Sequence, residues 1–434
     1  MVELLGYISV QADWTVDVKN ALSGVEGKHS FWVSAYKQGF PSIHDTIEAS
    51  KATAPDGATA LIDLQTTESQ EISAEYIDSH RLRLSSSKLG IAPVLHTTAQ
   101  KTVTCSQVVR KTGVTSFDVS PYGGLLVAGG DEGVMDVYEI NDAVHRVKLE
   151  GHFGDITSCR FFPSGQVILS GATDMRLKVW SASDGTNPVT LVGHTAAITD
   201  TAIVGKGKNV LSSSKDGTVR MWHCGTASVV HKFELSKLSV NQIDLVSIAA
   251  DSTEPEEAES ELGNNQFQTR DKVLVAACED GRTVLIDLYT KQTIAEYSTT
   301  GGLPVRAVAY DAANSRVYSG LSDGTVEVWS FNSSENTLLH SFKRNDSSIS
   351  FIRLVTYKAS NSPCACVGTE DGQLFVVSLN GSSSKTIGNA EVVEELVGFD
   401  VDPISQIRVV LSSTSDASRQ SIWATGSGNK ALRF

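Results

Sequence analysis

Over short runs the chain alternates apolar and polar residues with a period of two, and Asp-Gly turns separate the runs. In Arg176, Leu177, Lys178 and Val179 the apolar members fall on one side of an extended strand and the cations on the other. Three such runs superpose without a gap: Val167 to Trp180, Asn209 to Trp222 and Arg316 to Trp329. In each, a Ser precedes the Trp by ten residues and an Asp precedes it by six, giving Ser170, Asp174, Trp180; Ser212, Asp216, Trp222; and Ser319, Asp323, Trp329. Four weaker copies keep the frame with Glu132, Asp280, Asp371 or Asn429 at the Asp position, so the pattern predicts seven units. Successive Asp-type positions are 42, 42, 64, 43, 48 and 58 residues apart. The short intervals fit a ~40–45 residue unit of four short strands, a propeller blade. The connectors are too short and too rich in Gly, Ser and Thr to hold the helices that stacked βα units need.

Gly151-His152 and Gly193-His194 each place a His 28 residues before Trp180 and Trp222. With these pairs the chain resembles the WD-repeat family. The resemblance implies a hydrogen-bonded chain of His152, Ser170, Asp174 and Trp180 in one blade and of His194, Ser212, Asp216 and Trp222 in the next. Such a chain satisfies polar groups whose burial unpaired costs about 1–3 kcal/mol each. A Ser-His-Asp hydrolytic set is the rival reading, but it would recur in two blades, which catalysis does not need. The units around Asp280, Asp323 and Asp371 lack the Gly-His pair, and two of them carry Ile286 and Val377 in place of Trp. Their order is expected to come from packing. The last unit reaches Phe434 one strand short of a blade, and a ring closed only by packing opens at its seam. Lys101 to Val109 is the expected donor of the missing strand.

Residues 1–95 match no unit. Gly6 to Val10, Ser30 to Tyr36 and Ala58 to Leu64 read as strands, Val16 to Leu22 as a helix, and Ser85-Ser86-Ser87 as a linker. The expected fold is all-β: a seven-bladed WD-repeat propeller over residues 96–434, preceded by a small α+β domain over residues 1–95. The 64-residue interval contains DSTEPEEAESE from Asp251 to Glu261, six acidic residues and no basic one. It reads as an inserted solvated loop or as a docking tail for a basic partner.

At 41% hydrophobic and 20% charged residues, with a mean hydropathy of −0.07, the chain buries a sizeable core, which excludes a wholly disordered protein. The 36 basic and 50 acidic residues leave a net charge of −14, a field that repels phosphate backbones and anionic lipid. Neither nucleic acid nor a membrane is an expected partner. The amino-terminal MVELLGYISV carries Glu3 where a signal peptide carries basic residues, so an intracellular protein is expected. The six cysteines read as reduced core thiols. His223 and Cys224 would face opposite ways in a strand, and Cys364-Ala365-Cys366 has no second pair, so no metal is expected. Gly426 to Lys430 lacks the first glycine and the Ser/Thr of a phosphate loop. No cofactor is expected, and no catalytic constellation stands out.

A closer resemblance covers His152 to Phe233. Phe161-Phe162-Pro163-Ser164-Gly165, the Asp174-Met175 turn, Asp184-Gly185-Thr186-Asn187-Pro188 and His223-Cys224-Gly225-Thr226 are features that generic WD repeats do not share. In these the chain is similar to the proteasomal ATPase-associated factor family. The resemblance implies a non-enzymatic assembly chaperone, monomeric on its own, cytoplasmic and nuclear. It would hold the C-terminal domain of a base ATPase subunit during assembly of the 19S regulatory particle. A generic WD scaffold or a substrate-recruiting subunit of another complex would share every structural feature. An enzyme using the central channel would need convergent acid, base or metal groups. In the repeat frame the residues just before each turn Asp are Asp131, Thr173, Lys215, Glu279, Ser322, Glu370 and Gly428, and Asp155 approaches from the neighbouring loop. Four carboxylates, Asp131, Asp155, Glu279 and Glu370, are therefore the expected contacts for a basic partner face.

Overall fold

In a computed structural model of the chain, the residues described are 2–53, 60–105, 113–248, 265–331, 337–356, 363–379, 388–399, 402–411, 420–426 and 428–434. Seven innermost strands, here strand a of blades one to seven, ring a central axis: Ser116–Val119, Ile156–Phe161, Ile198–Val204, Val240–Ser247, Val305–Asp311, Ile349–Thr356 and Ile404–Leu411. Each contacts the next, and that of blade seven contacts that of blade one, so the ring closes. Strands b, c and d follow outward in antiparallel order within each blade. The chain is a seven-bladed WD propeller.

The apolar cores lie between the blades. Met135, Val137 and Leu149 of blade one meet Ile156, Ile168 and Trp180 of blade two, and equivalent clusters fill the other gaps round to blades seven and one. Because every blade is covered on both faces, strand b of blade four (Lys272–Cys278) is buried almost throughout and reads as a continuous apolar run rather than an alternation.

Asp251 to Glu261 lie outside the described residues, between strands a and b of blade four. The core of that blade, including Val240, Ile243, Leu274 and Ala276, is complete without them. Replacing them with a short Gly-Ser linker is expected to leave the melting temperature within about one degree of the parent. A fall of several degrees in a thermal melt would show that the insertion packs.

The amino-terminal residues form β1 (Glu3–Leu4), β2 (Tyr7–Val10), α1 (Trp14–Ser23), β3 (Ser30–Tyr36), β4 (Ile43–Thr53), β5 (Ala60–Thr66), β6 (Ser73–Asp78), β7 (Arg81–Ser86), β8 (Ile91–Thr98) and β9 (Lys101–Thr104). Strands β2 to β5 make a four-stranded sheet in chain order. Trp14 and Val18 of α1 pack with Phe31, Ile47, Leu82 and Leu84 into one core. Three of these strands extend the propeller. β1 adds in parallel to strand d of blade five (Leu338–Lys343), and β8 adds in parallel to strand d of blade six (Ala390–Val397), carrying β7 and β6 with it. β9 pairs antiparallel with strand c of blade seven (Lys430–Arg433), supplying that blade's fourth strand. Of the expected donor segment, residues 106–109 lie outside the described residues.

Ser85-Ser86-Ser87 is not a linker. Ser85 and Ser86 end β7, and Ser86 is fully buried, since the inward positions of that strand are Leu82, Leu84 and Ser86. A hydroxyl small enough to sit in a core, next to two other serines, imitates a loop composition.

Candidate partner-binding rim

In blade two the loop after strand d of blade one brings His152 against the b–c turn. Its Nδ1 lies 2.9 Å from Asp174 Oδ2 and its Nε2 2.7 Å from Ser170 Oγ, while Trp180 Nε1–H donates to the same hydroxyl at 2.8 Å. The Phe153 N–H and the Arg176 N–H donate to the Asp174 carboxylate at 3.0 and 3.1 Å. Blade three repeats this: His194 to Asp216 at 2.8 Å, His194 to Ser212 at 2.8 Å, and Trp222 Nε1–H to Ser212 at 2.8 Å. Gly217 follows the aspartate at φ +79, where a Cβ would stand 2.1 Å from the Ser236 carbonyl, so only glycine fits that turn. In blade two the equivalent residue is Met175, held at φ +67.

The donors fix the tautomer. The ionised Asp174 carboxylate can only accept, so His152 Nδ1 carries the proton that faces it, and in the neutral imidazole Nε2 accepts from the Ser170 hydroxyl. Burial accordingly holds both imidazoles below their ordinary pKa. Burial alone would raise Asp216, but bonds from Thr218, His194 and the Thr195 N–H outweigh it and bring the carboxyl to about 2. The Ser-His-Asp distances resemble those of a hydrolytic triad. Ser170 and Ser212 are nevertheless fully buried and already accept from Trp, so no substrate carbonyl reaches either hydroxyl.

Blades four and six do not rely on packing alone, contrary to the sequence expectation. Ser236 and Asn345 stand four residues before strand a, the place of the His, and donate to Asp280 at 2.8 Å and to Asp371 at 2.6 Å. Arg282 adds a bond to Asp280 at 2.6 Å, and Thr369 and Gln373 donate to Asp371. In blade five that place holds Gly301, and Thr325 and Lys343 serve Asp323 instead. Without an imidazole to bind, Ser319 turns to Thr283 of blade four at 2.8 Å, and the buried Trp329 Nε1 has no partner among the described residues.

The b–c turns and the loops before strand a share one end of the ring. Of the four carboxylates expected there, Asp155 and Glu370 are exposed, although Asp155 also accepts the Glu132 N–H at 3.0 Å. Glu279 is half-buried and bridged to Arg306 at 2.8 Å, which neutralises it. Asp131 does not project at all. The short 3-10 turn at Asp131–Gly133 folds it inward, to 6% exposure. Of these four carboxylates, therefore, two stand exposed at separated points of the rim.

Sequence reasoning missed a second polar set, on the innermost strands. Arg160 Nη2 donates to Asp200 at 3.1 Å and Arg408 Nε to Asp118 at 3.0 Å. Burial lowers Arg353, and burial with the neighbouring Arg160 lowers Arg408 to about 10. The same strands bind one blade to the next: Asp118 accepts the Phe161 N–H, Asp200 the Ile243 N–H, Gln242 the Val308 N–H and Gln406 the Phe117 N–H. The available signal was the recurrence of Asp118, Arg160, Asp244, Arg353 and Arg408 at one frame position of strand a, each opposite an apolar or thiol residue of strand b or Trp423.

Residues 144–181, 185–223 and 291–330 match the family described as WD domain, G-beta repeat. Each stretch holds strand d of one blade and strands a to c of the next, so the sequence repeat straddles two blades. The chain is 34% identical to the probable proteasomal ATPase-associated factor 1 of Dictyostelium discoideum, over 96% of this chain and 95% of that one. The chain belongs to the proteasomal ATPase-associated factor family. The human protein named proteasomal ATPase-associated factor 1 is 28% identical over 36% of each chain, and its Bos taurus counterpart 32% identical over the same shares. In this member of the family the two complete hydrogen-bonded chains sit in adjacent blades, beneath the part of the rim that carries Phe153, Asp155 and Met175.

Proposed function

We propose that this chain is a non-enzymatic assembly chaperone that binds the C-terminal domain of a proteasomal base ATPase subunit while the 19S regulatory particle is built. Its place is the cytoplasm and nucleus, and it acts as a monomer without nucleic acid, membrane or cofactor. The observation that carries this reading is the end-to-end similarity to a protein named for association with proteasomal ATPases. The rim supports it. The hydrogen bonds beneath hold the loops of blades two and three rigid, so a partner docking there orders few side chains on this side of the interface. Asp155 and Glu370, exposed at separated points, steer a partner bearing Lys or Arg and fix its register.

The test pairs the purified chain with each base ATPase C-terminal domain by titration calorimetry at two salt concentrations. One of the domains is expected to bind. The double variant Asp155→Asn with Glu370→Lys is expected to weaken that binding about tenfold and flatten its salt dependence, with an unchanged melting temperature. An unchanged dissociation constant moves the interface off this rim, and no binding by any ATPase domain removes the function.

A further inference from the structure

Where the amino-terminal sheet meets blade six, a cavity of about 270 Å³ is walled by Tyr7, Trp32, Tyr36, Phe399 and Arg344. Tyr7 and Tyr36 stack at 5.1 Å. The Arg344 guanidinium lies 3.7 Å from the centre of the Phe375 ring and pairs with both oxygens of Glu395, at 2.6 and 3.0 Å. Arg344 is 4% exposed, and its Nε–H has no partner among the described residues. A second cavity of about 720 Å³ continues the first, sharing Trp32, Val397 and Gly398. Trp32 stands 47% exposed between the two.

Along one wall runs β2. It is the outer strand of its sheet and, among the described residues, pairs only with β3. The Gln11 N–H bonds to the Trp32 carbonyl, which makes Gln11, Ser9 and Tyr7 the hydrogen-bonded positions of that ladder. The backbone groups of Ile8 and Val10 therefore point the other way, toward the groove. His96 takes the Ile8 carbonyl at 2.8 Å, and among the described residues no other strand pairs with Val10 on that side.

We propose that this groove binds an extended peptide, which adds a strand to the outer edge of β2 at Val10 and sets an apolar side chain among Tyr7, Trp32 and Tyr36. The Val10 edge asks for one backbone acceptor and one backbone donor, and the aromatic walls ask for an apolar side chain. An extended peptide carries both on neighbouring residues. The paired Arg344 and Glu395 leave the cavity without net charge, which favours an uncharged anchor. This goes beyond the reading of the rim, and its test involves no ATPase.

The probes are N-acetylated, C-amidated heptapeptides with Tyr, Phe, Leu or Val centred among threonines, added to the full chain. Trp14, Trp180, Trp222 and Trp423 are buried and Trp329 is half-buried, so acrylamide quenching is read in a Trp329→Phe background, where it reports mainly on Trp32. At least one peptide is expected to protect Trp32 saturably, with affinity falling about tenfold when its central amides are N-methylated. Val10→Pro removes the outward N–H while leaving the bonds to β3, and is expected to weaken the same peptide about tenfold with the fold retained by circular dichroism. Should Val10→Pro unfold the sheet, the N-methylated peptides still decide. No protection at millimolar concentration of any peptide overturns the proposal. Equal binding of methylated and unmethylated peptides overturns the strand addition.

Discussion

Val103→Asp is expected to destabilise the whole propeller by about 3 kcal/mol or more, whereas Thr102→Asp, one residue away, should cost less than about 0.5 kcal/mol. Val103 is fully buried against Phe117 of blade one and Trp423 and Ala431 of blade seven, where β9 completes the last blade. Thr102 occupies the alternate, exposed face of the same strand. A carboxylate at position 103 must either be desolvated or pull β9 out of the sheet. The second course leaves strand c of blade seven with an unpaired edge and opens the seam of the ring. Because each blade is stabilised by both neighbours, an open seam weakens blades one and seven together. Chemical unfolding followed by tryptophan fluorescence checks both variants, and equal midpoints for the two would show that β9 does not hold the ring.

That closing strand was legible because its need was legible: a seventh unit that stops at Phe434 requires a fourth strand from elsewhere. The propeller itself was readable because the Ser, Asp and Trp positions recur in a fixed frame that sets both turn and strand. The amino-terminal region offered no such frame. β4 alternates, but one of its inward positions is Asp45, buried at 4% exposure because Ser69 and the Glu68 and Ser69 N–H groups bond to it. A carboxylate in a core breaks the apolar count. β8 is placed by a parallel pairing with a strand some three hundred residues later, between Leu95 and Glu394, and nothing local encodes such a partner. The rim was read from the same frame as the blades, and there the limit was different: position in the frame gives the end of the ring but not the rotamer. It therefore located Asp155 and Glu370 on the surface, yet could not foresee that a 3-10 turn hides Asp131 or that Arg306 occupies Glu279.

Asp216→Ala should destabilise the chain by about 1–3 kcal/mol near neutral pH, the cost of leaving buried donors without an acceptor. The imidazole of His194, the Thr195 and Thr218 N–H groups and the Thr218 hydroxyl all direct protons at this one carboxylate, and its side chain is 7% exposed. The same network gives stability a pH dependence of definite sign. His194 and His152 are held below their ordinary pKa, so on unfolding each gains affinity for a proton. Their contribution is complete above about pH 6.5 and is lost progressively as the pH falls from there through the lowered folded values. Asp216, held down at about 2, adds a contribution that persists below the histidine range and is lost only from about pH 4 downward. The parent should therefore melt at lower temperature at pH 5.5 than at pH 7.5, and His152→Gln with His194→Gln should flatten that slope. Protonating His194 would place an Nε2–H against the Ser212 hydroxyl, which must then turn its own proton elsewhere in a fully buried site, so acid should loosen this blade before the ring unfolds. Equal unfolding midpoints for Asp216→Ala and the parent, or a slope that survives the double histidine change, would show that the hydrogen-bonded chain does not set the stability of these two blades.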